Sequence, residues 1–255
     1  MKYNRFLVLL TPVIVLISLE SVFLSPKSFY FVLFFVNFLI LTVIFLFFRD
    51  SHLGNFSYYL GEAILPFCFF TSIFVYSSLI VNKFLIQILF LATVIFIYFY
   101  LRNIYYFFIN FAAGKSGLFK NLSSLANFSV MFFSGAAIYG LQAFLNLPVW
   151  LLMIFLVFIS FLAVYQKFWI NKIERETAWI YVLASLVILL EIGWAISFLP
   201  LSYNVLGLAL AICYYVLMGL TVPSINNSLT GKTVKIYLIF GITSILLIFL
   251  TARWM

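Results

Sequence analysis

One stretch of the sequence, Thr177–Leu199, combines an ionisable group with a length that suits a membrane. It reads TAWIYVLASLVILLEIGWAISFL, and Glu191 is its only charged residue. A carboxylate in the apolar interior of a bilayer is costly unless it is protonated, paired or next to a polar cavity. Because acids at such depths mark ion and proton pathways, we expect Glu191 to bind a proton, a cation or a polar solute.

A structural role is the alternative for Glu191. If the stretch is a helix, residues three and four positions apart share a face with Glu191. The other residues of that face are Ala184, Val187, Ile188, Trp194, Ala195 and Phe198. Its alanines would let a neighbouring helix approach closely. On this interpretation Glu191 is a protonated acid that hydrogen-bonds to the neighbouring helix and holds the two together.

Two further glutamates belong to apolar stretches. Glu20 is near the outer end of Phe6–Leu24, where its side chain can extend to the membrane surface. It has a depth similar to that of Glu191, so the two carboxyl groups would share a proton or a cation if their helices touch. Glu62 comes at the start of Gly61–Val81, where the positive end of the helix dipole favours an acid.

Uncharged polar residues extend the candidate site. Gln87 and Gln142 fall in the outer halves of their stretches, and Asn37 falls near mid-membrane. If these faces converge, they line a polar cavity for a solute, a proton or a cation. The residues predicted to bind there are Glu191, Glu20, Trp194, Gln87 and Gln142.

A different grouping would favour an enzyme that acts on a lipid-linked substrate. It requires Glu62, Arg102, His52 and loop asparagines to meet at the cytoplasmic rim of the membrane.

The chain also contains two weak matches to a phosphate-binding motif. Gly114-Lys115-Ser116 and Gly231-Lys232-Thr233 end like a phosphate-binding loop, but each lacks the earlier glycine of that motif and follows no strand, so both are interpreted as basic loops.

Metal and cofactor chemistry is not indicated. The chain has one histidine and two cysteines, Cys68 and Cys213, which fall in separate apolar stretches. A protein zinc site needs several clustered ligands, and a Ser-His-Asp triad needs a histidine close to its nucleophile. We therefore predict no metal, no cofactor and no catalytic residue, and we favour a protein that is not an enzyme.

Composition defines the class of protein. Hydrophobic residues make up 67% of the 255 residues, and charged residues only 8%, whereas soluble domains carry about 25% charged residues. The formal net charge is +8, but the basic residues are scattered at the ends of apolar stretches rather than gathered in one patch. We therefore expect a lipid bilayer as the main partner, a small-molecule or lipid ligand as a further one, and no nucleic acid.

Apolar stretches of about 20 residues, the length of a membrane-spanning helix, occur nine times. We predict one polytopic transmembrane domain over residues 1–255, of the all-α integral membrane class. The predicted spans are Phe6–Leu24, Ser28–Phe48, Gly61–Val81, Phe84–Phe108, Leu122–Leu145, Pro148–Gln166, Thr177–Leu199, Tyr203–Val222 and Val234–Ala252. The fifth is the least apolar, since it begins in the polar run Asn121–Asn127 and contains Gln142.

Basic residues predict the orientation. With nine spans, all of the 14 basic residues except Lys27, Lys83 and Arg253 fall on one side, which is the pattern of cytoplasmic loops. The N-terminus is therefore predicted to be cytoplasmic, in the cell (inner) membrane. Short connections on the opposite side predict four helical hairpins followed by a final helix.

Three functional classes remain open at this stage. The favoured class is a carrier or binder of a small or lipophilic solute, with an intramembrane carboxylate as its proton or cation site. A non-catalytic membrane subunit, or an assembly or anchoring protein, is the first alternative, because the chain has no soluble domain. The intramembrane enzyme described above is the second. A cavity that reaches Glu191 would favour the carrier.

Overall fold

A computed structural model describes residues 2–49, 56–109, 117–173 and 175–252. These residues form nine long α-helices, a short 3-10 helix at Pro26–Ser28 and no sheet. The long helices are α1 (Lys2–Leu24), α2 (Phe29–Arg49), α3 (Phe56–Ser77), α4 (Lys83–Ile109), α5 (Gly117–Leu145), α6 (Val149–Ile170), α7 (Arg175–Ser197), α8 (Tyr203–Ile225) and α9 (Gly231–Thr251). His52, the loop Gly114–Ser116 and Arg253 lie outside the described residues.

All nine of these helices are long and apolar enough to cross a membrane. The chain therefore has the architecture of an all-α, multi-pass membrane protein. Most helix bounds agree with the predicted spans to within five residues, and α5 is one continuous helix in spite of its polar start.

Two differences from the predicted spans concern candidate residues. The third helix begins at Phe56, five residues before the predicted start at Gly61, so it includes polar and aromatic residues that precede the apolar run. Glu62 consequently lies in the second turn rather than at the start of the helix. Gly231–Thr233, interpreted as a loop, forms the first turn of α9, and the Thr230 hydroxyl caps it by accepting a hydrogen bond from the Thr233 N–H at 3.3 Å.

The chain divides into two compact units, Met1–Ser123 and Ser124–Met255. The single transmembrane domain stays a prediction. In the first unit, α1 packs against α2 and α4, and α3 also contacts both α2 and α4. Aromatic rings fill its core, where Phe70 and Tyr100 are completely buried and the ring centroids of Phe29 and Phe74 are 4.5 Å apart.

In the second unit, α6 packs against α7, α7 against α8 and α8 against α9. The helix α5 joins them through side chains: its Tyr139 hydroxyl donates a hydrogen bond to the Gly193 carbonyl of α7 at 2.8 Å. Tyr214 of α8 likewise donates to the Ala163 carbonyl of α6 at 3.2 Å. The last helix, α9, contributes little to this core, since Gly241 is its one buried residue.

Candidate functional site

Among the glutamates whose side chains the structure describes, Glu62 on α3 in the first unit is the buried one. None of its surface is exposed, although it lies only about 6 Å along the helix axis from the start of the apolar segment Tyr58–Ser77. The side chain is therefore shielded by the surrounding protein. A completely buried acid is unusual in any protein and is a candidate functional group inside a membrane helix.

Tyr100 of α4 is one partner of Glu62. Its hydroxyl donates a hydrogen bond to the Glu62 carbonyl oxygen at 3.0 Å and lies 3.5 Å from the carboxyl oxygen Oε2. The backbone bond has a local cause. Pro66 is four residues after Glu62 within α3, and proline has no N–H with which to complete the helical hydrogen bond to that carbonyl.

Glu191 has a different environment from the one predicted. It is exposed on α7, and the whole face around it is exposed too: Ala184, Val187, Ile188, Trp194, Ala195 and Phe198. Glu191 makes no hydrogen bond or ion pair with the residues that the structure describes. The face that we expected to meet a neighbouring helix is thus an open, apolar surface with one acid in it.

The other predicted residues are not gathered around Glu191. Glu20 is half-buried near the end of α1, and Gln87 is exposed near the start of α4. Both belong to the first unit and Glu191 to the second, so the pairing of Glu20 with Glu191 stays a hypothesis. Arg102 is exposed on α4, with its guanidinium carbon 6.0 Å from the centre of the Tyr106 ring. That exposure contrasts with the complete burial of Glu62, the other residue assigned to the cytoplasmic rim.

Gln142 lines a pocket of about 370 Å³ in the second unit. The pocket lies at the end of the unit that carries the α5–α6 and α7–α8 connections. Its wall combines hydroxyl, amide and aliphatic groups and contains neither Glu191 nor Trp194. The lining residues are Tyr139, Gln142, Ala143, Asn146, Leu147, Ser197, Leu199, Leu201, Tyr203 and Leu206.

A buried polar pair joins α5 to α6. The side-chain amide of Asn127 donates a hydrogen bond to the amide oxygen of Gln166, and both residues are at most 1% exposed. Nearby along the same two helices, the Lys167 ammonium donates to the Ser124 hydroxyl at 2.8 Å. The polar run at the start of the fifth predicted span pointed to Asn127, but the sequence did not indicate Gln166 on α6 as its partner.

Asn37, predicted near mid-membrane, is also engaged in helix packing. Its amide nitrogen donates to the Leu33 carbonyl at 2.9 Å and to the Thr71 hydroxyl at 3.1 Å. Asn37 therefore ties α2 to α3 within the first unit. Hydrogen bonds of this kind between transmembrane helices are a common packing device.

The described residues contain no group of three or more histidine, cysteine or acidic side chains that could hold a metal ion. Comparison with protein-family models, with curated proteins and with solved structures finds no match to this chain.

Proposed function

We propose that this protein crosses the cell's inner membrane nine times and carries or binds a small or lipophilic solute, with Glu62 as its proton- or cation-binding carboxylate. The complete burial of Glu62 beside the Tyr100 hydroxyl is the observation that supports this proposal. The distribution of basic residues supports a cytoplasmic N-terminus. The proposal keeps the predicted intramembrane carboxylate but assigns it to Glu62 rather than to Glu191.

The physical argument rests on the cost of the charge. Translocon-based insertion scales assign about 2.5–3.5 kcal/mol to an ionised acid at the centre of a membrane helix. A group buried in protein avoids lipid, yet it gives up its solvation by water, so it must be neutralised by a proton or stabilised by hydrogen bonds or a cation. A hydroxyl 3.5 Å from Oε2 can donate to the carboxylate or accept from the protonated acid after a small side-chain rotation.

The test compares wild type with Glu62→Gln, both purified in mild detergent. Infrared difference spectra between acidic and alkaline buffer report protonation of carboxyl groups, and mass spectrometry identifies small molecules and lipids that co-purify. We expect one carboxyl band to disappear in Glu62→Gln and to persist in Glu191→Gln, the matched control. We also expect a bound species to be lost from Glu62→Gln only.

The outcomes separate the functional classes. Loss of both the band and the bound species supports a carrier or binder with Glu62 in its site. A variant that melts at a lower temperature, with an unchanged spectrum and no change in bound species, would make Glu62 a packing residue and end this assignment.

A second candidate function has its own supporting observation, the exposed acid Glu191. A membrane subunit or assembly protein would cover the exposed face of α7 with a transmembrane helix of another protein. The partner helix would place a basic or amide side chain opposite Glu191.

The subunit candidate is tested by photo-crosslinking in native membranes from position 187 on the exposed face of α7. A single crosslinked protein that is lost in Glu191→Leu and retained in Glu20→Leu would support the subunit. Crosslinks to lipid only, in wild type and in both variants, would reject it.

A further inference from the structure

The pocket of the second unit has an uncharged but strongly polar wall. Its lining contains hydroxyl groups from Tyr139, Ser197 and Tyr203 and amide groups from Gln142 and Asn146, and none of the lining residues is charged. Its volume of about 370 Å³ falls at the lower end of the range of small-molecule sites, which is about 300–1,000 Å³. The pocket offers no opposite charge to an ion, but it offers hydrogen-bond partners to a neutral group with several donors and acceptors.

Three of these polar side chains have unused hydrogen-bonding capacity. Gln142, Asn146 and Tyr203 make no side-chain hydrogen bond to another residue that the structure describes. An amide supplies both donors and acceptors, and a phenol hydroxyl supplies one donor and an acceptor. The set therefore matches a ligand whose own groups both donate and accept, which is the property of hydroxyl groups.

The wall behind these side chains is held in place by packing. Tyr139 is only 2% exposed, and its hydroxyl is bonded to the Gly193 carbonyl. The helices are close at Gly193, where a Cβ would lie 2.7 Å from Leu156 Cδ2. Asn146 has a φ of 50°, a left-handed conformation that asparagine tolerates better than most residues. The pocket is thus built on a fixed helix contact and a fixed turn.

We propose that this pocket binds an uncharged polyhydroxyl group, such as a sugar or a glycerol-type headgroup. Leu147, Leu199, Leu201 and Leu206 line the same pocket and provide apolar contact for the carbon face of a sugar or for the first carbons of an attached chain. The ligand chemistry has two sources, a free sugar or a lipid with a sugar headgroup. The inference does not depend on Glu62 and concerns a different unit of the chain.

The experiment uses the full chain in phosphatidylcholine nanodiscs and measures binding by saturation-transfer nuclear magnetic resonance. The probes are maltose, octyl glucoside below its critical micelle concentration, and octyl phosphocholine as the charged-headgroup control. The variants are Gln142→Leu, Tyr203→Phe and Asn146→Gly, the last of which keeps the left-handed turn and removes the amide. Thr243→Val, which removes an exposed hydroxyl group on α9, is the control variant.

We expect octyl glucoside to bind to wild type and to Thr243→Val with equal affinity. Each pocket variant should weaken binding about threefold to tenfold, as for the loss of one hydrogen bond, without a change in helical content by circular dichroism. Binding of maltose as well would identify free sugars as ligands, and binding of the glucoside alone would identify a sugar-bearing lipid.

Two results would overturn the inference. Equal binding of octyl phosphocholine and octyl glucoside would show that the alkyl chain, and not the hydroxyl groups, is recognised. Unchanged glucoside binding in all three pocket variants would show that the pocket is not the site. Because Tyr203→Phe removes a single hydroxyl group and keeps the aromatic ring, it still tests the inference if Gln142→Leu fails to fold.

Discussion

The hydroxyl of Tyr100 donates a hydrogen bond to the carbonyl oxygen of Glu62 at 3.0 Å. It replaces the helical N–H that Pro66 cannot supply. One tyrosine on α4 therefore repairs the hydrogen bonding of α3 and also lies 3.5 Å from the Glu62 carboxyl oxygen. The Tyr100 hydroxyl therefore holds the backbone of Glu62 next to Pro66 and also lies beside the Glu62 carboxyl group.

Tyr100→Phe should lower the free energy of unfolding by about 1 kcal/mol, the net contribution of a typical hydrogen bond. Adding Pro66→Ala restores an N–H four residues after Glu62, so the double variant should recover most of that loss. The measurement is thermal and denaturant unfolding in detergent. Tyr30→Phe, whose ring is 72% exposed, is the control and should match wild type. A double variant that is no more stable than Tyr100→Phe alone would contradict the repair argument.

The contact between α5 and α8 predicts a second effect. A Cβ on Gly207 would lie 2.5 Å from the backbone nitrogen of Ala136, and backbone cannot move aside cheaply. Gly207→Ala should therefore destabilise the second unit by about 1–3 kcal/mol, the usual cost of overpacking. Gly231→Ala adds the same methyl group at a helix position with open space around it, so it should leave the melting temperature nearly unchanged. Equal melting temperatures of the two variants would contradict the close contact.

Much of the architecture could be predicted because its causes are local. Helix length and apolar content follow from the thickness of a bilayer, and most of the observed helices lie within a few residues of the predicted spans. Ala136 and Gly207 are small residues of the kind that lets two helices approach closely, and the two are in close contact.

The choice of the buried acid could not be predicted in the same way. In a soluble helix a polar face reveals the side that meets water, but a membrane helix is apolar all round, so its sequence does not indicate which face meets protein. Glu191 sits in a long apolar run and is exposed, whereas Glu62 sits near a helix start and is fully buried. Burial here depends on the rotation of each helix against its neighbours, which is a non-local property.

The amide pair of α5 and α6 predicts an energetic coupling. Asn127→Leu or Gln166→Leu leaves the other amide buried without its partner, so each should cost about 1–3 kcal/mol. The double variant should cost less than the sum of the two, since no unpaired amide remains. A double-mutant cycle from denaturant unfolding measures this coupling, and Ser129→Ala on the exposed side of α5 controls for general effects on that helix. Strict additivity would contradict a direct hydrogen bond between the pair.

The exposed position of Glu191 predicts that removing its carboxyl group does not weaken the fold. Glu191 has no bonded partner among the described residues, so Glu191→Leu breaks no contact within the chain and should change the free energy of unfolding by less than about 0.5 kcal/mol. Glu62→Leu should instead lower it by about 1–3 kcal/mol, because it removes a completely buried polar group from a packed site and leaves the Tyr100 hydroxyl with one acceptor fewer. Both variants are compared with wild type by denaturant unfolding in the same detergent. If Glu191→Leu proved as destabilising as Glu62→Leu, the carboxyl group of Glu191 would have to be buried in the folded protein, and the exposed face of α7 would be ruled out as the site of a partner helix.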